Sequence, residues 1–524
     1  MRLSSDILTP ALMLLLTGAV HAATLTTSQY NNARTGADLE ENILNPRNVN
    51  PQQFGKIATL AVDGDVYAQP LYLPSVAVPG KGTHNLLFIA TEHDSVYAFD
   101  ADLKSSEPLW RVSLLPHSAG AATLAEYDVN CPFIRPEIGI TSTPVIDLET
   151  GTLYVLSRAK ITAGHSETKY IQQLHALAIT TGVEKFGGPV EINASVPGSK
   201  GGNSTSVVSF DPRRENPRAA LLLVNGSVYL TWASSCDVGH YHGWVMAYDA
   251  HTLRQQATFN TSPDSLESGI WLADNGPAAD REFNIYVITG NGVFDADRPG
   301  GRDFGDSVLK LRLHANRFEI ASSFTPSNQQ QLNARDNDLG SGGPLLLPTR
   351  PPTLVFGGKA GVMYVLGTHR MSGLEKPEHS NAEQISLSGI YSAAAYWNGH
   401  LYYYTAEAPL KDFAVRNGHV SPEPSHTSRD RSQYSGATPT ISAARSQNGI
   451  VWLVESRAWN QGGNGAELRA YDALNVEREL YSSAANPARD SAGQALRFVI
   501  PAVANGRVYF GVKNGVEVYG LLRK

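Results

Sequence analysis

The sequence predicts an all-β chain, an eight-bladed β-propeller of four-stranded antiparallel blades closed by an N-terminal strand. Three observations predict it. The 524 residues include 47 Gly and 30 Pro, which cut the chain into many short segments joined by turns. A pattern of strand, turn, strand and a third strand ending in an aromatic or Leu recurs eight times from end to end. No heptads, long amphipathic helices or βαβ units interrupt that pattern.

Each element can be justified in turn. The first strands, "AQPLYLP", "STPVID", "AALLLV", "NGPAAD", "GGPLLLP", "SAAAYW", "ATPTIS" and "IPAVA", open on small residues. Small residues suit a strand crowded against a central axis. The second strands, from "THNLLFIAT" and "TGTLYVLSR" to "NGRVYFGVK", place a turn before a β-branched and aromatic run. Third strands fall at residues 95–102, 173–182, 244–252, 307–313, 362–368, 410–415, 467–474 and 516–522. An outer strand such as "PLWRVSLL" (108–115) follows most of them, but the eighth third strand runs to the C-terminus without one. "FGKIATLAV" (54–62) precedes the first repeat and has no partner of its own, so it is the expected closing strand. Three inserts depart from the repeat, at 115–136, 189–217 and 416–436. Loops of this kind either shape a ligand site over one mouth or decorate the surface.

The N-terminus reads differently. Arg2 precedes "ALMLLLTGAV", and "VHAA" supplies the small residues of a cleavage site after Ala22 or Ala23. Residues 1–22 are expected to be a signal peptide, 23–53 an N-terminal extension and 54–524 a single propeller domain. The protein is therefore expected to be secreted or periplasmic. The apolar run is short for a bilayer, and no later segment reads as a membrane span. A net charge of -7 gives no basic footprint, which argues against nucleic acid as a partner. Cys131 and Cys236 are the only cysteines. In an oxidising compartment they are either bonded or separate thiols.

"LHALAITTGVEKF", "MAYDAHTLRQQATF" and "YAFDADLKSSEPLW" resemble the repeat of the pyrroloquinoline quinone (PQQ) dehydrogenase-like propeller superfamily. There an Ala-x-Asp-x-x-Thr-Gly turn precedes an aromatic that docks between blades. "IYVITGNG" is similar to the Thr-Gly-Asn segment of quinoprotein alcohol dehydrogenases. The resemblance covers the mature chain and implies the eight-bladed fold. It also implies either PQQ with Ca²⁺ acting on alcohols or sugars, or a binding or assembly scaffold. The chain departs from the enzymes in having no adjacent cysteine pair. Where they place Gly-Asp-Asn, this chain has "GGRDFGDS", with Gly301 and Arg302 at the Asp-Asn positions and Asp303 as the nearest substitute. No Cys-x-x-Cys-His is present for covalent haem, no Gly-x-Ser-x-Gly elbow and no Walker loop.

Two constellations are candidate sites. "SSCDVGHYHGW" places His240 and His242 on one face if extended, and these with Asp237 and His93 form a candidate Cu or Zn set. The alternative is that they are loop polars bonded to the neighbouring Tyr and Trp. The second constellation is a ring of polar groups that blade pseudosymmetry points at one mouth. The inter-strand turns supply His93, Asp94, Arg158, Lys359, Glu455, Arg457 and Lys513; the entries to first strands add Gln69, Glu137, Asp338 and Ser341. With Asn291 of the Thr-Gly-Asn segment, the residues Gln69, Arg158, Lys359, Arg457 and Lys513 are the candidate cofactor contacts. Asp303, Glu137 and Asp338 are the candidate acid/base residues. A cationic ring with a few carboxylates suits an anionic ligand, a quinone carboxylate or an acidic sugar; the alternative is a solvated rim. Three functions follow: a propeller binding a small molecule, saccharide or protein partner; a PQQ- and Ca-dependent dehydrogenase; or a metal-dependent or acid/base lyase or hydrolase acting in the funnel.

Overall fold

The computed structural model describes residues 23–523 apart from 163, 165, 166, 201, 202, 377, 379 and 457–464. Residues 1–22, expected to be a signal peptide, and Arg457 therefore lie outside the described residues. Among those described, eight largely antiparallel blade sheets follow one another around an axis, in the order the repeats predict, with a separate hairpin of Ser195–Lys200 and Asn203–Ser209. The first is Leu71–Val78, Gly82–Ala90, Ser95–Asp100 and Trp110–Ser113, from the axis outward. The fifth is Leu345–Leu347, Thr353–Gly357, Val362–Gly367 and Ala382–Ser386. Most innermost strands after the first are short and buried, and several are rich in small residues, as in Ala278–Ala279 and Ala502–Ala504.

Neighbouring blades are joined by the repeat motif itself. Tyr154 of blade two donates its hydroxyl to Ala250 O of blade three, and Tyr402 of blade six to Ala473 O of blade seven, each at 2.6 Å. Tyr509 of blade eight makes the same bond to Ala101 O of blade one. The accepting Ala in each case ends the Tyr/Phe-Asp-Ala turn. Trp110 bonds Ile179 O at 3.0 Å and lies over Gly182 of the next blade, where a Cβ would stand 2.8 Å from the indole. A glycine is required there both for that close approach and for its φ of +71°.

The ring closes as expected. Phe54–Ala61 pairs antiparallel with Gly515–Leu521, the third strand of blade eight. Phe54 is buried against Trp452, Tyr481 and Tyr519, while Lys56 pairs with Glu517 at 2.8 Å. Closure leaves no open ladder at the seam.

The segment before that strand, expected only as an extension, is built into the axis. Leu25 exchanges backbone bonds with Tyr72 of blade one, and Thr26 O accepts from Ile146 N of blade two. Asn32 Nδ2 donates to Leu223 O of blade three, and Asn32 O accepts from Ala279 N of blade four. Ala33, Thr35 and Gly36 accept in turn from Leu346, Tyr396 and Ile441 of blades five, six and seven. Tyr30 completes the circuit through its hydroxyl on Val503 of blade eight. At its centre the fully buried Arg34 donates to Thr27 Oγ1, Ser28 O, Pro277 O and Leu221 O. Burial lowers the Arg34 pKa to about 9, so these four acceptors are what hold a cation in the core.

Candidate functional site

The thread contacts the first strands beyond their entries. Those entries, together with the connections between second and third strands, gather at the other end of the axis around a cavity of about 520 Å³. Every blade presents the same two connections to this face, so residues far apart in sequence meet there. The connection in blade three contributes Cys236 and Asp237, and that in blade five contributes Lys359. The entry to blade four brings Trp271 and Ala273, and the entry to blade five Asp338 and Ser341.

Asp338 and Lys359 form the charged centre. Lys359 Nζ lies 2.6 Å from Asp338 Oδ2 and 2.8 Å from Asp336 Oδ1. Asp338 is 3% exposed and also accepts from Asn291 N at 2.7 Å. Burial raises its pKa, against the pull of Lys359 and the Asn291 amide; Asp237 pushes in the same direction as burial. Burial also disfavours the Lys359 charge, but Asp338 and Asp336 more than offset this and its pKa rises. Gly290 makes the packing possible, since a Cβ there would stand 2.1 Å from Asp338 Oδ1 and 2.9 Å from Trp271 Nε1. The "TGNG" segment thus supplies a bare backbone against which the carboxylate sits. Two buried polar atoms beside it, Trp271 Nε1 and Asn291 Oδ1, have no hydrogen-bond partner.

Several non-glycine residues at or near the cavity have left-handed backbone. Cys236 and Asp237 hold φ of 57° and 52°, Glu267 and Ser268 hold 73° and 57°, and Leu272 and Ala273 hold 52° and 48°. Non-glycine residues in this region cost roughly 1–2 kcal/mol each, and such strain collects at functional sites. The Cys236 end is also tied covalently: Cys131 and Cys236 form a disulfide with Cα atoms 5.5 Å apart. It fastens the 115–136 insert to blade three, and that insert delivers Phe133 to the cavity.

One part of the wall is aromatic and cationic. Arg497 stacks over Phe498, Phe133 and Tyr434, with its carbon 4.7, 5.0 and 5.7 Å from the ring centroids. Arg218 stacks on Phe498 at 4.4 Å. Tyr391 packs beside Tyr434, with ring centroids 5.3 Å apart. Burial and that neighbour push the Tyr391 pKa up to about 12.

Of the residues singled out in the sequence, Asp237, Asp338, Ser341 and Lys359 line the cavity, and Asn291 bonds to Asp338. His93 and Glu137 bond to each other at 2.7 Å outside the lining. Lys513 lies near Asp65, whose pKa burial raises to about 6 against the pull of that ammonium. Gln69 is buried in the axis, where it accepts from Gln29 N and donates to Pro501 O, so it seats the thread. Arg158 is fully buried between blades, donating to Asn216 Oδ1 and Arg213 O; burial lowers its pKa to about 10. Asp303 is displaced from the axis altogether. It accepts from Asp264 N in a buried strap beside Arg302, which itself pairs with Asp264. Asp303 is held by its bonds to Asp264 and Asp295 and is not among the cavity residues, whereas Asp338, from the next blade entry, is.

The histidine constellation is not assembled. His242 is buried with Nδ1 against Ser262 O at 3.0 Å, and its amide faces Glu215. Asp237 accepts from Tyr241 at 2.6 Å, and His240 is exposed. Among the described residues no three His, Cys, Asp or Glu side chains gather as metal ligands. The sequence reading missed Trp271, Arg218, Arg497, Phe498 and Tyr434. Each stands in the segment leading into a first strand, and an aromatic or Arg there, as in "LRFVIP", was the available signal.

No family model and no curated protein sequence matches the chain. Solved structures do. Quinohemoprotein alcohol dehydrogenase ADHIIG from Pseudomonas putida HK5 aligns with a TM-score of 0.56 at 14% identity, over 96% of this chain and 81% of that one. A europium-containing methanol dehydrogenase aligns with a TM-score of 0.55 at 12% identity, over 95% and 98%. BamB from Moraxella catarrhalis aligns at 0.51 and 11% identity, over 89% and 99%.

Proposed function

We propose that this chain, which shares the eight-bladed fold of the PQQ-like propellers, is an exported protein that binds a small-molecule ligand in its axial cavity. The observation that carries this is the axial cavity itself, about 520 Å³, in which side chains from separate blades surround the Asp338–Lys359 ion pair. Export rests on residues 1–22, and the Cys131–Cys236 bond suits an oxidising compartment. Among the described residues no helix is long and apolar enough to cross a membrane.

A second reading makes the ligand PQQ with Ca²⁺ and the protein a dehydrogenase. The residues present fit a planar polycarboxylate: Trp271 and Tyr391 offer ring faces, and Lys359 and Arg497 offer charge. Asn291 Oδ1 and the Asp338 carboxylate are hard oxygen donors of the kind Ca²⁺ takes. When bound, the quinone would supply the two-electron oxidation. Asp338 would accept the proton of a substrate hydroxyl, its carboxylate oriented by Lys359 and the Asn291 amide. The aromatic wall would limit water.

The test is a calorimetric titration of the chain from Ala23 onward with PQQ, with and without Ca²⁺. Saturable, near-stoichiometric binding that is weakened at least tenfold in Asp338→Asn supports the dehydrogenase reading. Binding that ignores Ca²⁺ and Asp338 would remove it and leave the ligand-binding reading to be pursued with other anions.

A further inference from the structure

The face of the ring that carries the thread has clefts of its own. One of about 990 Å³ lies between blades four and five, and a smaller one of about 180 Å³ between blades five and six. The turn 348–352 of blade five divides them, and its Arg350 lines both. In blades one, three and seven the third strand ends in "AFDAD", "AYDAH" and "AYDAL", which place an acid on this face; in blade five the same position reads "LGTHR". Gly367 takes the place of the Asp, and His369 and Arg370 follow. Elsewhere on this face acids of these turns engage cations of their own chain. Asp102 pairs with Lys104 at 3.4 Å and Arg507 at 3.5 Å, and Asp472 with Arg478 at 3.2 Å. Around the two clefts, Arg281, Arg350 and Arg370 are exposed and, among the described residues, have no hydrogen-bond or ion-pair partner. Arg312, also exposed, donates to the neutral Asn284 Oδ1 at 3.0 Å. The neighbouring acids do not balance them. Asp280 is taken up by Lys310 at 3.6 Å and by Asn284 and Tyr286, and Glu383 by His419. Glu282 is the lining carboxylate that remains.

Like charges gathered without partners repel one another, and the carboxylates of a binding partner remove that cost. In a chain of net charge -7, such a patch stands out as a surface for an anion. It is not purely ionic. Phe283, between Arg281 and the clefted strands, is 49% exposed, and Pro348 and Pro351 are exposed beside Arg350. A guanidinium reads a carboxylate through a two-pronged fork, whereas a bare ring and prolines take up an apolar side chain. We propose that these clefts of blades four to six are a docking surface for an acidic, extended peptide segment of a partner protein. Its carboxylates meet Arg281, Arg350 and Arg370, and an apolar side chain meets Phe283. A compact anion fills one cleft; a segment crossing Arg350 engages both. The surface lies at the opposite end of the axis from the cavity around Asp338, so the two can be occupied together.

Fluorescence anisotropy with a labelled peptide tests the proposal on the chain from Ala23 onward. The probe repeats Asp-Glu-Phe-Glu to about twelve residues, each spanning ~3.3 Å when extended; its counterpart repeats Asn-Gln-Phe-Gln. The acidic peptide is expected to bind saturably and the amide counterpart roughly tenfold more weakly or worse. Arg350→Glu, at the residue shared by both clefts, should weaken the acidic peptide by roughly tenfold or more, and Arg281→Glu and Arg370→Glu by less each. Arg478→Glu on blade seven makes the same change in net charge and should leave affinity within about twofold. All four side chains are exposed, so the variants are expected to fold. Equal losses in Arg350→Glu and Arg478→Glu would reduce the effect to overall charge and overturn the site. An affinity that ignores Arg350→Glu, or no binding of the acidic peptide, would do the same. Polygalacturonate, added as an unlabelled competitor, distinguishes an anionic saccharide: tighter binding than the peptide, lost in Arg350→Glu, would overturn the peptide assignment.

Discussion

The two ends of the axis are built on opposite plans. At one end residues 25–38 bond to the first strand of every blade, chiefly backbone to backbone, with Arg34 donating to four acceptors. At the other, side chains from separate blades surround a cavity with the Asp338–Lys359 ion pair in its wall. The first end is closed by a strand-like segment bonded to every blade, the second surrounds open volume with side chains. The same eightfold scaffold thus seals one mouth and leaves the other available, and substitutions at the two ends should separate stability from binding.

The largest effect is expected at the sealed end. Arg34→Ala strands buried carbonyls and should lower unfolding stability by about 3–5 kcal/mol, read from the shift in denaturant midpoint, with ligand affinity of the folded fraction unchanged. A loss below about 1 kcal/mol would break the comparison. Next comes the disulfide, which belongs to the open end. Replacing Cys131 and Cys236 with Ser frees a loop of 105 positions and should cost about 2–4 kcal/mol. Unlike Arg34→Ala, it should also weaken ligand binding, because Phe133 and Asp237 lose their tether.

Acid should act at the cavity end as well. Glu92, in the second-to-third connection of blade one, is buried, and burial raises its pKa to about 8, although the Gly139 amide opposes the shift. From about pH 4.5 the unfolded chain releases this proton while the folded chain keeps it to about pH 8. Over that window the folded state binds more protons, so stability contributed by Glu92 is full below pH 4.5 and declines as pH rises, by about 1.4 kcal/mol per pH unit. Glu92→Gln should flatten that slope in denaturation series between pH 5 and 8; an unaltered slope would assign it to other carboxylates. The smallest effect belongs to His240. It is exposed, so His240→Ala should change stability by less than about 0.5 kcal/mol and leave both bound metal and ligand affinity unaltered.

The fold was legible because its signals are local and repeated. Turn residues, small first strands and the Tyr/Phe-Asp-Ala turn recur in each blade, and an unpaired strand at 54–62 could be matched with an incomplete last blade. Asp338 and Lys359 were legible by the same pseudosymmetry, since equivalent connections share a face. Arg158 and Gln69 followed that rule in position but not in direction: each turns into a blade junction or the axis, a choice made by packing that repeat position does not encode. Asp303 was singled out from an assumed loop register, whereas its bonds to Asp264 and Asp295 hold it off the cavity lining. Trp271 and Arg497 were passed over because a lone aromatic or Arg ahead of a strand is common, and only assembly of the blades brings them together. The thread gave no signal, because its bonds are mostly backbone bonds and any sequence can make those.

The thread also sets an order of events. Tyr30 finds its partner Val503 at a separation of 473 positions, and the acceptors of residues 25–36 are distributed over all eight blades. An early part of the chain therefore has nowhere to settle until its far end has been made. Non-local closure of this kind makes folding slow. Until that moment, unfinished rings expose inner strands and an open seam, which is when such a chain is most exposed to aggregation.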